Sequence, residues 1–197
     1  MSLQVTKESG SIYDPVFLKI LEDIPGGVTV KTDRFPTDTE EIKKGALLNA
    51  MTGASIGLYD VIKTVRTTAA GATNTTILAI EPTDHLFVEG DFIFLQGGTG
   101  GTIVRVSTTA IEVEVAHNAI ASGAVLHEVS GVGTATALYT ADAVLRDTVE
   151  VRKDGVATLL DNLFAGAVVR GTVDESELPY FVTDADKTAL TARVRFA

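Results

Sequence analysis

A chain of 197 residues, 45% apolar and 21% charged, holds material for one medium domain or two small ones with packed cores, which excludes wholesale disorder. It contains no cysteine, so disulfide frameworks, thiolate metal sites and cysteine nucleophiles are excluded together. A formal net charge of −10 repels a phosphate backbone, so no nucleic-acid partner is expected, and no apolar run nears the roughly 20 residues of a membrane-spanning helix. The opening Met1-Ser2-Leu3-Gln4-Val5-Thr6-Lys7 lacks the basic head and apolar stretch of a secretion signal, so synthesis inside the cell and no membrane association are expected.

The texture is of short runs rich in Val, Ile, Thr and Phe, bounded by Gly, Asp, Asn and Pro, which is the pattern of many short strands. Asp14 to Leu21 admits two readings: a brief helix capped by Asp14 with Pro15 in its first turn, or an extended arm. Pro25-Gly26-Gly27, Phe35-Pro36 and Lys44-Gly45 then punctuate segments too short for long helices. The Thr/Ala/Gly stretch from Thr67 to Thr76 reads as an exposed loop, and Thr75 to Ile80 as a strand stopped by Pro82. Val88-Glu89-Gly90-Asp91 supplies a tight entry into Asp91–Leu95, apolar on both faces like a central strand, and Gly97 to Gly101 supplies the exit. Thr102–Val106 pairs with Ile111–Val115 across the reversal Ser107-Thr108-Thr109-Ala110. Ile111, Val113 and Val115 alternate with Glu112 and Glu114, the period-two signature of a half-buried strand. With Leu126–Val129, about five antiparallel strands lie between Val61 and Val129, enough for a small barrel.

Gly131-Val132-Gly133 reads as a hinge. Beyond it come a strand at Asp147–Arg152, a hairpin turn at Lys153-Asp154-Gly155, a strand at Val168–Val173, a short helix from Thr183 to Leu190 and a last strand at Arg193–Phe196. The expected fold is therefore mainly β with one or two short helices. A discontinuous β-rich host, residues 1–60 and 131–197, is interrupted by a small antiparallel β-barrel at 61–130.

No catalytic, cofactor-binding or metal residue is assigned. His85, His117 and His127 have no helical i, i+4 spacing and fall beside turns and strand ends, where solvated histidines are expected. Ser55 in Gly53-Ala54-Ser55-Ile56-Gly57 has the letters of a nucleophile elbow, but the elbow needs a strand before and a helix after, and a turn between strands is expected. The glycines at 97–101 lack the Lys-Ser/Thr of a phosphate loop. The carboxylate groups Asp38/Glu40/Glu41, Asp174/Glu175/Glu177 and Asp184/Asp186 match no calcium-loop spacing. With no tryptophan and 6% aromatics, the chain offers little to stack on sugars, which argues against a hydrolase built on those carboxylates. Lys63, Arg66 and Arg105 lie among carboxylates and make no basic stripe. Asn74-Thr75-Thr76 spells a glycosylation acceptor without a secretion signal to make use of it.

Glu41-Ile42-Lys43-Lys44-Gly45-Ala46-Leu47-Leu48 resembles the entry strand of tailed-phage capsid decoration and head-fibre proteins. Gly57–Lys63, His85–Phe92 and the closing Arg170–Tyr180 are similar to segments of the same class. The resemblance covers about a third of the chain, and decoration proteins are typically shorter and lack the extra barrel. It implies a non-enzymatic virion or prophage protein on the capsid surface. Its partners would be the major capsid protein and further copies of itself, in trimers by analogy with the class, with Leu3–Ile12 as an arm reaching a neighbour. It brings no cofactor. The alternative is a carbohydrate- or ligand-binding β module, which needs an aromatic-lined concavity around Phe87, Phe92 and Phe94, residues otherwise expected in the core.

Overall fold

A computed structural model of the chain describes residues 15–71, 75–82, 85–95, 99–152 and 162–197. The N-terminal arm, the Asp14 cap, Asn74, Gly97, Gly98 and the Lys153-Asp154-Gly155 turn lie outside these residues. The molecule is mainly β. The first strands are β1 (Phe17–Asp23), β2 (Val28–Val30), β3 (Glu41–Ile42), β4 (Leu47–Ala50) and β5 (Leu58–Val61). Then follow β6 (Thr64–Arg66), β7 (Thr75–Ala79), β8 (Phe92–Leu95), β9 (Thr99–Ser107), β10 (Ala110–His117) and β11 (Val125–His127). The chain ends with β12 (Ala143–Leu145), β13 (Val149–Glu150), β14 (Leu163–Ala165), β15 (Ala167–Val173), helix α1 (Asp184–Leu190) and β16 (Val194–Phe196). Among the described residues no helix is long and apolar enough to cross a membrane.

Residues from both ends of the sequence build one curled sheet in the order β1-β15-β12-β4-β5-β2-β14, with β16 alongside β15. Its central strands are apolar on consecutive positions because both faces are covered. Leu48, Ala143, Leu145 and Ala167 enter one apolar cluster with Val28, Phe35 and Tyr180. Their neighbours Leu47, Val144 and Val168 enter the opposite one with Phe17, Leu190 and Val194. From Phe17 onward the segment resolves in favour of the extended reading, since Phe17–Asp23 pairs with β15. Only Phe17 anchors that strand in the core. Leu18, Ile20 and Leu21 stay exposed, so the segment lacks the buried face that would stabilise a helix of this length.

Residues 64–127 form a second sheet system. β7-β10-β9-β8 are paired in that order, and β11 pairs with β6. The bridge Thr67–Ile80 joins β6 to β7, and Ile93–Glu128 joins β8 to the end of β11, so six antiparallel strands close into a ring. Val65, Leu78, Phe87, Ile93, Ile103, Ile111 and Leu126 fill it. Two expectations change here. Val115 is 55% exposed: β10 bulges after Val113, so that Glu112 faces Ile77 while His117 already faces Thr75, and His117 takes the buried place. Thr67 is buried and bonded to the Ala121 carbonyl at 2.8 Å; the exposed loop begins only at Thr68.

Close approach fixes several glycines, Gly45 and Gly100 among them. Gly45, at φ +92°, turns β3 into β4, and a Cβ there would lie 2.9 Å from Pro179 Cδ and 3.0 Å from Val16 Cγ1. A Cβ on Gly100 would meet the Gly131 carbonyl at 2.4 Å, so the segment read as a hinge packs directly on β9. Helix α1 begins as its sequence specifies. Thr183 Oγ1 accepts from Asp186 N at 3.1 Å, and the Asp186 carboxylate accepts from Thr183 N at 3.3 Å.

Candidate functional site

Where the barrel meets the curled sheet, the apolar packing gives way to charge. The run Leu58-Tyr59-Asp60-Val61-Ile62-Lys63 crosses from one to the other, and its two ionisable residues are buried, Asp60 to 3% and Lys63 to 1% exposure. Lys63 Nζ donates to Asp91 Oδ2 and to the Arg34 carbonyl, each at 2.6 Å. Asp91 Oδ2 also accepts from the Val88 amide at 3.0 Å, which fixes the turn entering β8. From the sheet side, Arg34 reaches across to Glu128 and to the Tyr139 hydroxyl, with Asp60 Oδ2 at 3.8 Å. Its guanidinium also lies over the Tyr139 ring, 5.0 Å from the centroid.

Two cations and three carboxylates therefore share one water-poor junction. Burial pushes the Lys63 ammonium down to about 8, with Asp91 opposing the shift. Burial pushes the Tyr139 phenol up, and the Asp60 carboxylate beside it adds to the shift. Among the described residues, Asp60 Oδ2 and Glu128 Oε2 are buried without a hydrogen-bond donor. Nearby, Thr64 Oγ1 donates to the Phe181 carbonyl at 2.6 Å, and the Arg66 guanidinium lies 4.1 Å from the centre of the Phe181 ring. Leu86, from the barrel segment, is buried among the apolar side chains of the curled sheet. Lys63 is enclosed, and its ammonium meets groups of the chain itself.

The sequence-level candidates lie apart from one another. His85 and His117 are buried rather than solvated. His85 Nε2 is 3.0 Å from the Ser107 carbonyl, and His117 is held by the Asn118 carbonyl at 2.7 Å and Thr75 Oγ1 at 3.1 Å. His127 stacks on Phe94 at 5.0 Å, and its burial lowers its pKa. Among the described residues, no three His, Asp or Glu side chains are grouped to hold a metal ion. Ser55 ends a 3-10 turn between β4 and β5. Asp174 caps the short turn Glu175–Glu177, Glu175 pairs with Lys187 at 2.6 Å, and Asp186 caps α1. Asp38, Glu40 and Glu41 are exposed. Phe87 is 1% exposed inside the barrel, and Phe92 and Phe94 are half-buried in its wall.

A groove of about 740 Å³ lies elsewhere, between the Asp23–Gly27 turn, Arg146–Glu150 and Phe164–Gly166. Its Arg146 is already paired with Asp23 at 2.6 Å and Asp147 at 2.9 Å. An anionic ligand there would have to displace two carboxylates. Comparison with protein-family models, curated proteins and solved structures finds no match to this chain.

Sequence reasoning misses the junction. It weighs Lys63 only as a possible phosphate contact, although one signal is present: Asp60 and Lys63 interrupt an otherwise apolar run, where a solvated charge has no place.

Proposed function

We propose that this chain is a non-enzymatic structural protein of a phage or prophage virion, decorating the capsid surface or forming a head fibre as a homo-oligomer. In this reading residues 61–130 are an inserted barrel carried on a host of 1–60 and 131–197, and the host contacts the major capsid protein. The observation that carries it is the use made of the ionisable groups. The buried ones join barrel to sheet or cap local structure, while the groove beside Arg146 has its cation neutralised by two carboxylates. A molecule whose charges are spent on holding two β units together is suited to presenting surfaces. The likeness of Glu41–Leu48 and Arg170–Tyr180 to decoration proteins supports the same reading, and Gly45 packs against Leu178 and Pro179, so these two segments touch.

The test is co-sedimentation with assembled capsid shells of the phage or prophage whose genome encodes the chain. Saturable binding at a fixed number of copies per shell is expected. Shells that sediment without the protein at micromolar concentration would refute the reading.

A further inference from the structure

We propose that the neck of the barrel is an acid-sensitive latch, which releases the barrel from the segment leading into helix α1 when His127 takes up a proton. The inference stands apart from the capsid reading and adds a response built into the fold. The chain enters the barrel at Lys63-Thr64 and leaves it at His127-Glu128. These four residues stand abreast: Thr64 pairs with His127, and the Glu128 amide donates to the Lys63 carbonyl at 3.3 Å. Successive residues of a strand face opposite sides, so the neck shows a different chemistry on each. Lys63 and Glu128 face the charged junction, where Asp91 and Arg34 engage them. Thr64 and His127 face the other way, toward residues 181–186. There Thr64 Oγ1 donates to the Phe181 carbonyl at 2.6 Å, and His127 lies within electrostatic range of the Asp186 carboxylate.

A histidine is the side chain that changes charge near neutral pH. The His127 ring stacks on Phe94 of β8, 11° from parallel. Charged groups face it from two elements: α1 presents Asp186, and β6 carries Arg66 on the side it shares with Thr64. Asp186 is already committed, since its Oδ2 accepts from Thr183 Oγ1 at 2.6 Å and from Thr183 N at 3.3 Å to hold the first turn of the helix. Arg66 lies over the Phe181 ring, so a charged His127 adds a second cation to the same side. An imidazolium here leaves water without gaining a carboxylate of its own. Burial accordingly lowers the His127 pKa from 6.5, with Asp186 opposing the shift. A folded value below the unfolded one means that this group's contribution to stability is whole above 6.5. It is lost as pH falls through 6.5 toward the folded value.

The loss falls on the boundary between the two units rather than on either core. The barrel encloses one apolar cluster of its own, and the curled sheet encloses two. Among the described buried residues between 64 and 127, Leu86 alone enters a cluster of the sheet. Polar contacts hold the remainder of the boundary, so it parts with little loss of apolar burial while both cores stay closed. His85 and His117 are held by the Ser107 and Asn118 carbonyls within the barrel, and their titration registers at β7, β9 and β10 instead.

The test is amide hydrogen exchange on the full chain from mildly alkaline to mildly acidic pH, corrected for intrinsic exchange rates, beside an NMR titration of the histidine rings. His127 is expected to titrate below 6.5. Over that range exchange at residues 64–66, 125–127 and 181–186 is expected to rise by roughly tenfold, the effect of a shift of one pKa unit, while β9, β10, β12 and β15 stay protected. His127→Phe keeps a ring against Phe94 and takes up no proton, so its protection is expected to be the same at both ends of the range. His127→Gln is smaller and also without charge; whatever its level of protection, that level is expected not to change with pH. A His127 that titrates at or above 6.5 overturns the inference. So does acid-driven exchange at these three segments that persists in both variants, or a loss of protection that spreads to β9, β10, β12 and β15 together, which is unfolding and not release.

Discussion

Replacing Lys63 by methionine keeps the length and volume of the side chain and removes its charge. The ammonium is buried, and it donates at 2.6 Å both to Asp91, itself only 10% exposed, and to the Arg34 carbonyl. Its loss leaves the Asp91 carboxylate with one donor, the Val88 amide, in a junction that already holds two undonated carboxylate oxygens. Removing one partner of a buried pair costs about 3–5 kcal/mol, because the remaining charge is desolvated without compensation. Asp91→Leu alone is expected to cost less, since the Lys63 ammonium, already held near 8 by burial, can shed its proton once its partner is gone. The double variant removes both charges and returns most of the loss, leaving about 1–2 kcal/mol for the unpaired Val88 amide. Urea unfolding followed by circular dichroism, which suits a chain without tryptophan, gives the four corners of this double-mutant cycle. A Lys63→Met variant within about 1 kcal/mol of wild type, or a double variant equal to the sum of the singles, would refute the buried-pair account.

The same lysine sets a pH dependence. Its folded value near 8 lies below its unfolded value of 10.5, so between them the unfolded chain binds more protons, and stability from this group rises with pH at up to about 1.4 kcal/mol per unit. Tyr139 acts in the opposite sense above about pH 10, where only the unfolded phenol ionises. Urea midpoints at pH 7, 8, 9 and 10 should show a rise in wild type that Lys63→Met lacks; parallel curves would count against it. Gly45→Ala should cost about 2 kcal/mol more than Gly57→Ala: both sit at φ +92°, but only the first Cβ meets neighbours at 3.0 Å or less. The difference in thermal midpoints measures that crowding, and equal losses would deny it. Thr183→Ala should cost about 1 kcal/mol through the lost capping box, with Thr183→Ser near wild type by the same assay. Phe87→Ala should cost about 3–5 kcal/mol and strip amide-exchange protection from β7–β10 before β4, β12 and β15.

Strands such as β7, β8, β9, β10 and β15 are readable from the sequence because each carries its own signal, whereas the short β2, β4, β5, β12 and β14 carry none that the sequence reading picks out. Ser107-Thr108-Thr109-Ala110 specifies a reversal on its own, and Thr183 with Asp186 specifies a helix start, so local chemistry sufficed. Barrel closure was less accessible. It depends on the bridges Thr67–Ile80 and Ile93–Glu128, between residues that no short window holds together. Val115 misled because period-two reasoning assumes an unbroken ladder, and the bulge after Val113 breaks it. His85 and His117 misled for a different reason. A histidine at a strand end looks solvated until the carbonyls that hold it, Ser107 and Asn118, are brought near by the fold. The charge cluster was hardest, since Arg34, Lys63, Asp91 and Glu128 meet from four separate stretches of chain.

That cluster also bears on why a polar junction stands where apolar side chains would bind at least as well. Apolar faces tolerate sliding, because their attraction depends on area and hardly on direction. Hydrogen-bonded charges do not: if the barrel turned on the sheet, Lys63 would lose Asp91 and Arg34 would lose Glu128, each leaving a buried ion alone. The cost of misalignment is therefore steep even where the net stabilisation is small. Gly100 against the Gly131 carbonyl and Thr64 against the Phe181 carbonyl lock the same boundary at two further points. These contacts hold the barrel at one angle to the sheet.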